Sequence, residues 1–292
     1  MVAFCLAWSL AQVVMPQTGQ EEKARQITSD GSFKSHLSWS PDGKKLLFTR
    51  IHKGKMELCS VDQLQGSKVE PLVQPPPNTP HFDGSWSLDG KQIAYVHDIL
   101  QGTDGKLQIN IVNADGTQPK VVIPHKAFEE SPRFTPDGQK LLWVSTRDGN
   151  QEIYSFEIAS AKVTRLTQNP GFDNNPNIRR DGQRVVFSSS RYGNFEILSM
   201  NMDGSDTKRL TNHGSLDIWP SFSPDGGKIA FTSNRTGNYN IFVMDENGGN
   251  LAQITNNRGV NNFAAWNPSG EEIAYISNKN GAYEVYIHSL RK

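Results

Sequence analysis

The most chemically versatile side chains in this sequence are seven histidines, which are scattered along 292 residues. No two of them have the close spacing that places two imidazoles on one face of a helix. His36, His81 and His125 nonetheless fall at related points of the chain, and imidazoles that converge in this way bind divalent metal ions. We interpret the histidines as isolated polar residues, and a metal site built from these three is the alternative.

Acidic and basic side chains recur together. An acid stands at Glu129, Asp173 and Asp217, and an arginine follows each of them, at Arg147, Arg191 and Arg235. A repeated acid and a repeated base on the same side of a fold offset each other's desolvation, so these residues are predicted to form structural ion pairs. The sequence has no Gly-x-Ser-x-Gly elbow and no phosphate-binding glycine loop. It therefore predicts no catalytic residue, no metal and no cofactor.

A repeated unit positions these residues. Short turn motifs occur every 44 to 48 residues, as SPDG at residue 40, SLDG at 87, TPDG at 135, RRDG at 179, SPDG at 223 and NPSG at 267. Each turn follows a short strand pattern, and two more alternating strands come after it. A fourth strand pattern follows in the first five units, and the sixth unit lacks it. Residues 24–29 match that missing strand, so we predict that the N-terminal strand pairs with the last unit and closes a ring.

The sequence thus predicts an all-β, six-bladed β-propeller of four-stranded blades. Its repeat, best seen from Asp217 to Thr255, resembles that of the TolB-like propellers, which are related in shape to WD40 repeats. The resemblance covers residues 24 to 292. TolB itself is periplasmic, joins its propeller to a separate N-terminal domain and acts through protein partners at the cell envelope. This chain has no room for that domain, so we expect residues 23–292 to be one propeller.

The candidate binding residues lie at one mouth of the predicted channel, where each inner strand begins, opposite the Pro-Asp-Gly turns. Aligning the blades places one residue of each at this ring, and the ring departs from strict repetition in blades one to three. An acidic half then faces a basic or titratable edge, which suits a peptide, a cation or a polar ligand. The predicted binding set is Lys34, His36, His81, Glu129, Glu130, Asp173, Asp217, Trp219 and Asn261.

The amino-acid composition and the N-terminal residues bear on the class of partner and on the cellular location. Thirty basic and 30 acidic residues leave no net charge, which argues against nucleic acid as the main partner. Residues 1–15 are apolar but too short and interrupted to span a membrane, and they resemble the core of a secretory signal. Residues 1–22 are therefore expected to be a signal-like or disordered segment. Cys59 is expected to be a buried packing residue and is not expected to pair with Cys5.

The sequence favours a non-enzymatic propeller, periplasmic or secreted and monomeric, which binds a protein or peptide partner through the channel mouth. Two alternatives stay open. One is a metal-dependent polysaccharide lyase or hydrolase that uses the channel histidines, as the pectate-type lyase relatives of these propellers do. The other is a solute-sensing module, since related propellers also occur as sensor ectodomains.

Overall fold

The computed structural model describes residues 24–64, 66–73, 79–99, 106–123 and 127–291, which form 24 β-strands and no helix. The strands make six antiparallel sheets of four strands each. The inner strand of each sheet contacts the inner strand of the next, and the last contacts the first, which closes the ring. The predicted six-bladed, all-β propeller is confirmed.

The strands of each blade follow one another along the chain. Blade one comprises β2 (Phe33–Trp39), β3 (Lys45–His52), β4 (Lys55–Asp62) and β5 (Glu70–Pro71). Blade two comprises β6 (His81–Trp86), β7 (Gln92–Ile99), β8 (Lys106–Asn113) and β9 (Lys120–Ile123). Blade three comprises β10 (Glu129–Phe134), β11 (Lys140–Ser145), β12 (Glu152–Glu157) and β13 (Lys162–Arg165). Blade four comprises β14 (Asp173–Ile178), β15 (Arg184–Ser189), β16 (Glu196–Asn201) and β17 (Lys208–Arg209).

Blade five comprises β18 (Asp217–Phe222), β19 (Lys228–Ser233), β20 (Asn240–Asp245) and β21 (Ala252–Gln253). Blade six comprises β22 (Asn261–Trp266), β23 (Glu272–Ser277), β24 (Glu284–Ser289) and β1 (Ala24–Gln26). Strand β1 pairs antiparallel with β24, with Ala24 opposite His288 and Gln26 opposite Tyr286. The predicted closure by the N-terminal strand is therefore confirmed.

The core lies between neighbouring blades, because each sheet buries both of its faces against the next. An aromatic column near the ends of the inner strands joins them. The Trp39 indole donates a hydrogen bond of 3.1 Å to the Ala265 carbonyl, and Trp266 donates one of 3.2 Å to the Ser221 carbonyl. Each of these indoles therefore reaches the inner strand of the preceding blade. Cys59 is a free, fully buried thiol in the core between blades one and six.

Every inner strand carries a β-bulge at the same point. The pairing with the second strand shifts there in all six blades, for example between Glu130 and Arg133. A bulge of this kind leaves two residues opposite one and turns the strand. The bulged residue adopts a positive φ of 49° to 58°, although none is glycine. These residues are His36, Asp83, Ser131, Asn175, Trp219 and Phe263.

Candidate functional site

The residue near the start of each inner strand, which aligns at the predicted ring, is buried in all six blades. The exposed fraction is 2% for His81 and 0% for the other five residues, which are Lys34, Glu129, Asp173, Asp217 and Asn261. Side chains alternate in direction along a strand, and the side chain at this position points into the buried interior of the propeller. The bulge changes the direction of the side chains that follow it. The structure thus places these six side chains beneath the mouth, where they hold the start of each inner strand.

In blades three to five the buried acid meets the repeat arginine of its own blade. The nitrogen–oxygen distances are 3.0 Å for Arg147–Glu129, 2.6 Å for Arg191–Asp173 and 2.7 Å for Arg235–Asp217. Each guanidinium also lies near an aromatic ring, as Arg147 does at 5.1 Å from the Trp143 centroid. Burial raises the pKa of Asp173, and Arg191 opposes that rise. These residues are therefore engaged inside the blades.

Blades one and six use different chemistry at the same position. The Lys34 ammonium lies 2.8 Å from Glu284 and also binds Asp30, so its buried charge is matched by two carboxylates. In blade six, the Asn261 side chain donates hydrogen bonds to Asn240 and Asn257. Lys34 and Asn261 thus replace the buried acid–arginine pair with other buried hydrogen bonds.

Among the described residues, blade two has the most buried polar side-chain atoms without a hydrogen-bond partner. The His81 ring meets His97 edge to face, with centroids 4.5 Å apart, and both His81 nitrogens are buried with no hydrogen-bond partner among the described residues. Burial, with a smaller contribution from His97, lowers the pKa of His81 to about 4. The neutral imidazole is therefore the form present near neutral pH, and it packs as an apolar ring.

The exposed aromatic residues at this mouth lie one position before the buried ring residues in the sequence. An apolar residue precedes each ring position, and we call this set the entry rim: Phe33, Pro80, Phe128, Phe172, Leu216 and Val260. Its three phenylalanines are 44%, 60% and 48% exposed, in chain order. Exposed aromatic side chains that recur around one opening are a feature of protein-binding surfaces. They were not among the predicted binding residues, although an apolar residue recurs at this position in every blade of the sequence.

The entry rim is held firmly by backbone contacts. The Phe172 amide donates to the Ser190 hydroxyl at 2.8 Å, and the Ser190 amide donates back to the Phe172 carbonyl at 2.9 Å. Phe128 makes the same reciprocal pair with Thr146. Leu216 and Val260 make it with asparagine side chains. Fixed backbones present these apolar side chains without the ordering cost that a mobile loop would add on binding.

One predicted acid stays accessible next to the entry rim. Glu130 is partly exposed and accepts a hydrogen bond of 3.3 Å from the Gln151 amide, whose oxygen accepts one from Asn174. Burial, and then repulsion from Asp83, raises the pKa of Glu130. Of the two adjacent glutamates, Glu129 is therefore a buried ion-pair partner and Glu130 is the one that faces solvent.

The central channel contains a cavity of about 290 Å³ on the side of the Pro-Asp-Gly turns. One wall is aromatic, because the Trp219 and Phe263 rings lie 4.2 Å apart and Phe263 lies 5.0 Å from His36. Arg133 lines the other wall and lies 3.2 Å from Asp83. His36 and Trp219 of the predicted set thus line this cavity, on the side opposite the entry rim.

The predicted histidine convergence is not formed by the two members that the structure describes. His36 lines the central cavity, whereas His81 packs against His97 inside blade two. His125 lies outside the described residues. Within the described ranges, no group of three or more histidine, cysteine or acidic side chains could hold a metal ion. Those ranges also contain no helix long and apolar enough to cross a membrane.

Proteins similar to this chain include TolB homologues, in agreement with the resemblance of its repeat to that of the TolB-like propellers. A TolB homologue from Chlorobium luteolum is 28% identical over 137 residues, which cover 47% of this chain and 29% of the relative. The match therefore spans less than a third of that relative's length. A TolB structure from Agrobacterium tumefaciens superimposes with a TM-score of 0.70 at 24% identity, covering 89% of this chain and 91% of the other.

An enzyme shares the same fold. Oligogalacturonate lyase in complex with manganese superimposes with a TM-score of 0.64 at 11% identity, covering 92% of this chain and 91% of the lyase. Identities this low show the fold alone. The family model described as the TolB beta propeller domain matches residues 66–218 and 216–292, well over half of the sequence. This chain therefore belongs to the TolB β-propeller domain family.

Proposed function

We propose that this chain is a non-enzymatic propeller of the cell envelope that binds a protein or peptide partner at the entry-rim mouth. The observation that carries the proposal is the apolar entry rim, in which Phe33, Phe128 and Phe172 are exposed and the other three residues are half-buried. Desolvating such side chains against a partner supplies most of the binding free energy in protein interfaces.

The polar residues of the mouth have two roles in this proposal. Glu130 follows Phe128 by two residues, is half-buried, and offers a carboxylate to a donor or cation of the partner. The buried residues beneath, such as Asp173 and Asp217 with their arginines, keep the inner strands in place. Lys34, His81, Glu129 and Asn261 take the same supporting role in their blades. The partner thus meets a preformed surface.

The proposed setting follows from the family and the N-terminus. We propose that residues 1–22 direct export and that the monomeric propeller then works in the periplasm, as the resemblance to TolB implies. Cell fractionation followed by N-terminal sequencing of the purified protein tests this step. A mature chain that starts near residue 23 in the periplasmic fraction supports export, and an intact Met1 in the cytoplasm overturns it.

Capture of a partner tests the binding face. We expect immobilised wild-type protein to retain a specific protein from an envelope extract, and the F128S/F172S double variant to lose it. The matched control replaces two similarly exposed valines on outer strands, V121S/V163S, which are 43% and 40% exposed. Equal capture by all three proteins would overturn the assignment of the entry rim.

A further inference from the structure

The cavity on the turn side of the channel has a rim of its own. The innermost residue of each Pro-Asp-Gly turn borders it, and five of the six are apolar: Pro41, Leu88, Pro136, Pro224 and Pro268. The sixth is Arg180, which is exposed. A single cation in an otherwise apolar rim breaks the repeat at the point where a ligand would enter.

The charge of Arg180 is unmatched within the part of the chain that the structure describes. Its neighbour Arg179 makes ion pairs with Asp181 at 2.8 Å and Glu246 at 2.7 Å. Arg180 makes no hydrogen bond or ion pair with any described residue. Deeper in the cavity, the charge of Arg133 is matched by Asp83, which also accepts a hydrogen bond of 2.9 Å from Ser131. Of the two described arginines that line the cavity, Arg180 is therefore the one without an acidic partner among the described residues.

The aromatic wall supplies the second binding element. Trp219 and Phe263 lie at an interplanar angle of 35°, and both are bulged residues whose positive φ turns them to the channel. His36 continues the same wall from blade one. Aromatic faces of this kind favour flat, apolar groups. The wall thus complements the ring of a ligand, and Arg180 complements an anionic group attached to it.

The size of the cavity limits the ligand. A volume of about 290 Å³ lies at the small end of ligand pockets, so it takes one compact group and no folded surface. We propose that this cavity binds a small organic carboxylate carrying a flat ring, with the ring against Trp219 and Phe263 and the carboxylate at Arg180. Such a group occurs in free aromatic acids and at the end of a peptide chain. This site is separate from the entry rim.

Calorimetric titration with an isosteric pair of probes tests the proposal. 3-Phenylpropionate and 3-phenylpropionamide share shape and ring, and differ in the charge that Arg180 would meet. We expect the acid to bind at least about tenfold more tightly than the amide, which is the scale of one charge-assisted hydrogen bond. In R180Q that preference disappears, and in W219L both probes lose affinity.

The control is R258Q, because Arg258 is another exposed arginine, which lies in the β21–β22 connection on the opposite face. It should leave both affinities unchanged. Tighter binding of N-acetyl-Gly-Gly-Phe than of 3-phenylpropionate assigns the site to a chain end, and weaker binding assigns it to a free acid. Equal affinity for acid and amide, an unaffected R180Q, or no binding of either probe overturns the proposal. Partner capture at the entry rim is unaffected by any of these results.

Discussion

The Thr28 hydroxyl donates a hydrogen bond of 2.5 Å to the Glu284 carboxylate, across 256 residues of sequence. The same hydroxyl accepts a hydrogen bond of 2.9 Å from the Val285 amide, and Glu284 also binds the Gly31 amide at 2.7 Å. Both side chains are buried. This contact fastens strand β1 to the last blade and so closes the ring.

Removal of the Thr28 hydroxyl should therefore weaken the attachment of the N-terminal strand to the last blade. T28V removes one hydrogen bond from the Glu284 carboxylate, which keeps Gly31 and Lys34, and takes away the Thr28 acceptor of the Val285 amide. We therefore expect a loss of about 1–3 kcal/mol in the free energy of unfolding. Amide hydrogen exchange at Ile27 and Val285 should accelerate. The control is T167V, which removes an equivalent 2.5 Å bond to Glu152 inside blade three. Equal exchange at Ile27 in both variants would contradict the closing role.

The buried ion pair of blade four should behave as a coupled unit. R191M leaves the fully buried Asp173 carboxylate without its cation, and we expect a loss of about 3 kcal/mol in unfolding free energy. The double variant D173N/R191M should lose much less than the sum of the single losses. Urea denaturation of the four proteins measures this, and additive losses would show that the two residues do not depend on each other.

Acid should destabilise the fold through His81. Its pKa is about 4 when folded, against about 6.5 in an unfolded chain, so the unfolded state binds more protons between these values. The stabilisation is therefore complete above pH 6.5 and is lost as the pH falls towards 4. We expect H81N to flatten this loss by a few kcal/mol, and H213N, at an exposed histidine, to leave it unchanged. A wild-type pH profile in H81N would contradict the assignment.

Metal content distinguishes the proposed non-enzymatic propeller from the metal-dependent lyase alternative. His36 and His81 lie in different environments, so we expect protein purified without chelator to carry no stoichiometric transition metal. Elemental analysis of the wild type and H36A measures this. One equivalent of metal in the wild type that H36A loses would favour a metal-dependent enzyme.

The fold was readable from the sequence because its determinants are local and repeated. The SPDG-type turns mark every inner hairpin; in the first of them the Ser40 hydroxyl donates to Asp42 at 2.6 Å and Gly43 adopts a φ of +71°. The match of residues 24–29 to later fourth strands predicted the closure. The Thr28–Glu284 contact behind it was not predicted, since neither residue is unusual in its own segment.

The site was less predictable, because the bulge changes the direction of the side chains in a way that the sequence pattern does not show. Asp173 and Asp217 read as mouth residues in the alignment, yet both are fully buried. Trp219 and Phe263 carry positive φ values without any glycine to signal them. The entry-rim phenylalanines precede strand-like runs and resemble core residues, so their exposure emerges only from the three-dimensional fold.

Footprinting of the captured complex tests the central claim most directly. Hydroxyl-radical labelling of the propeller, free and bound to its partner, reports which side chains the partner covers. We expect protection of Phe33, Phe128 and Phe172, with the turn residues Pro136 and Pro224 labelled equally in both states. Protection confined to the turn face, with the three phenylalanines unchanged, would contradict it.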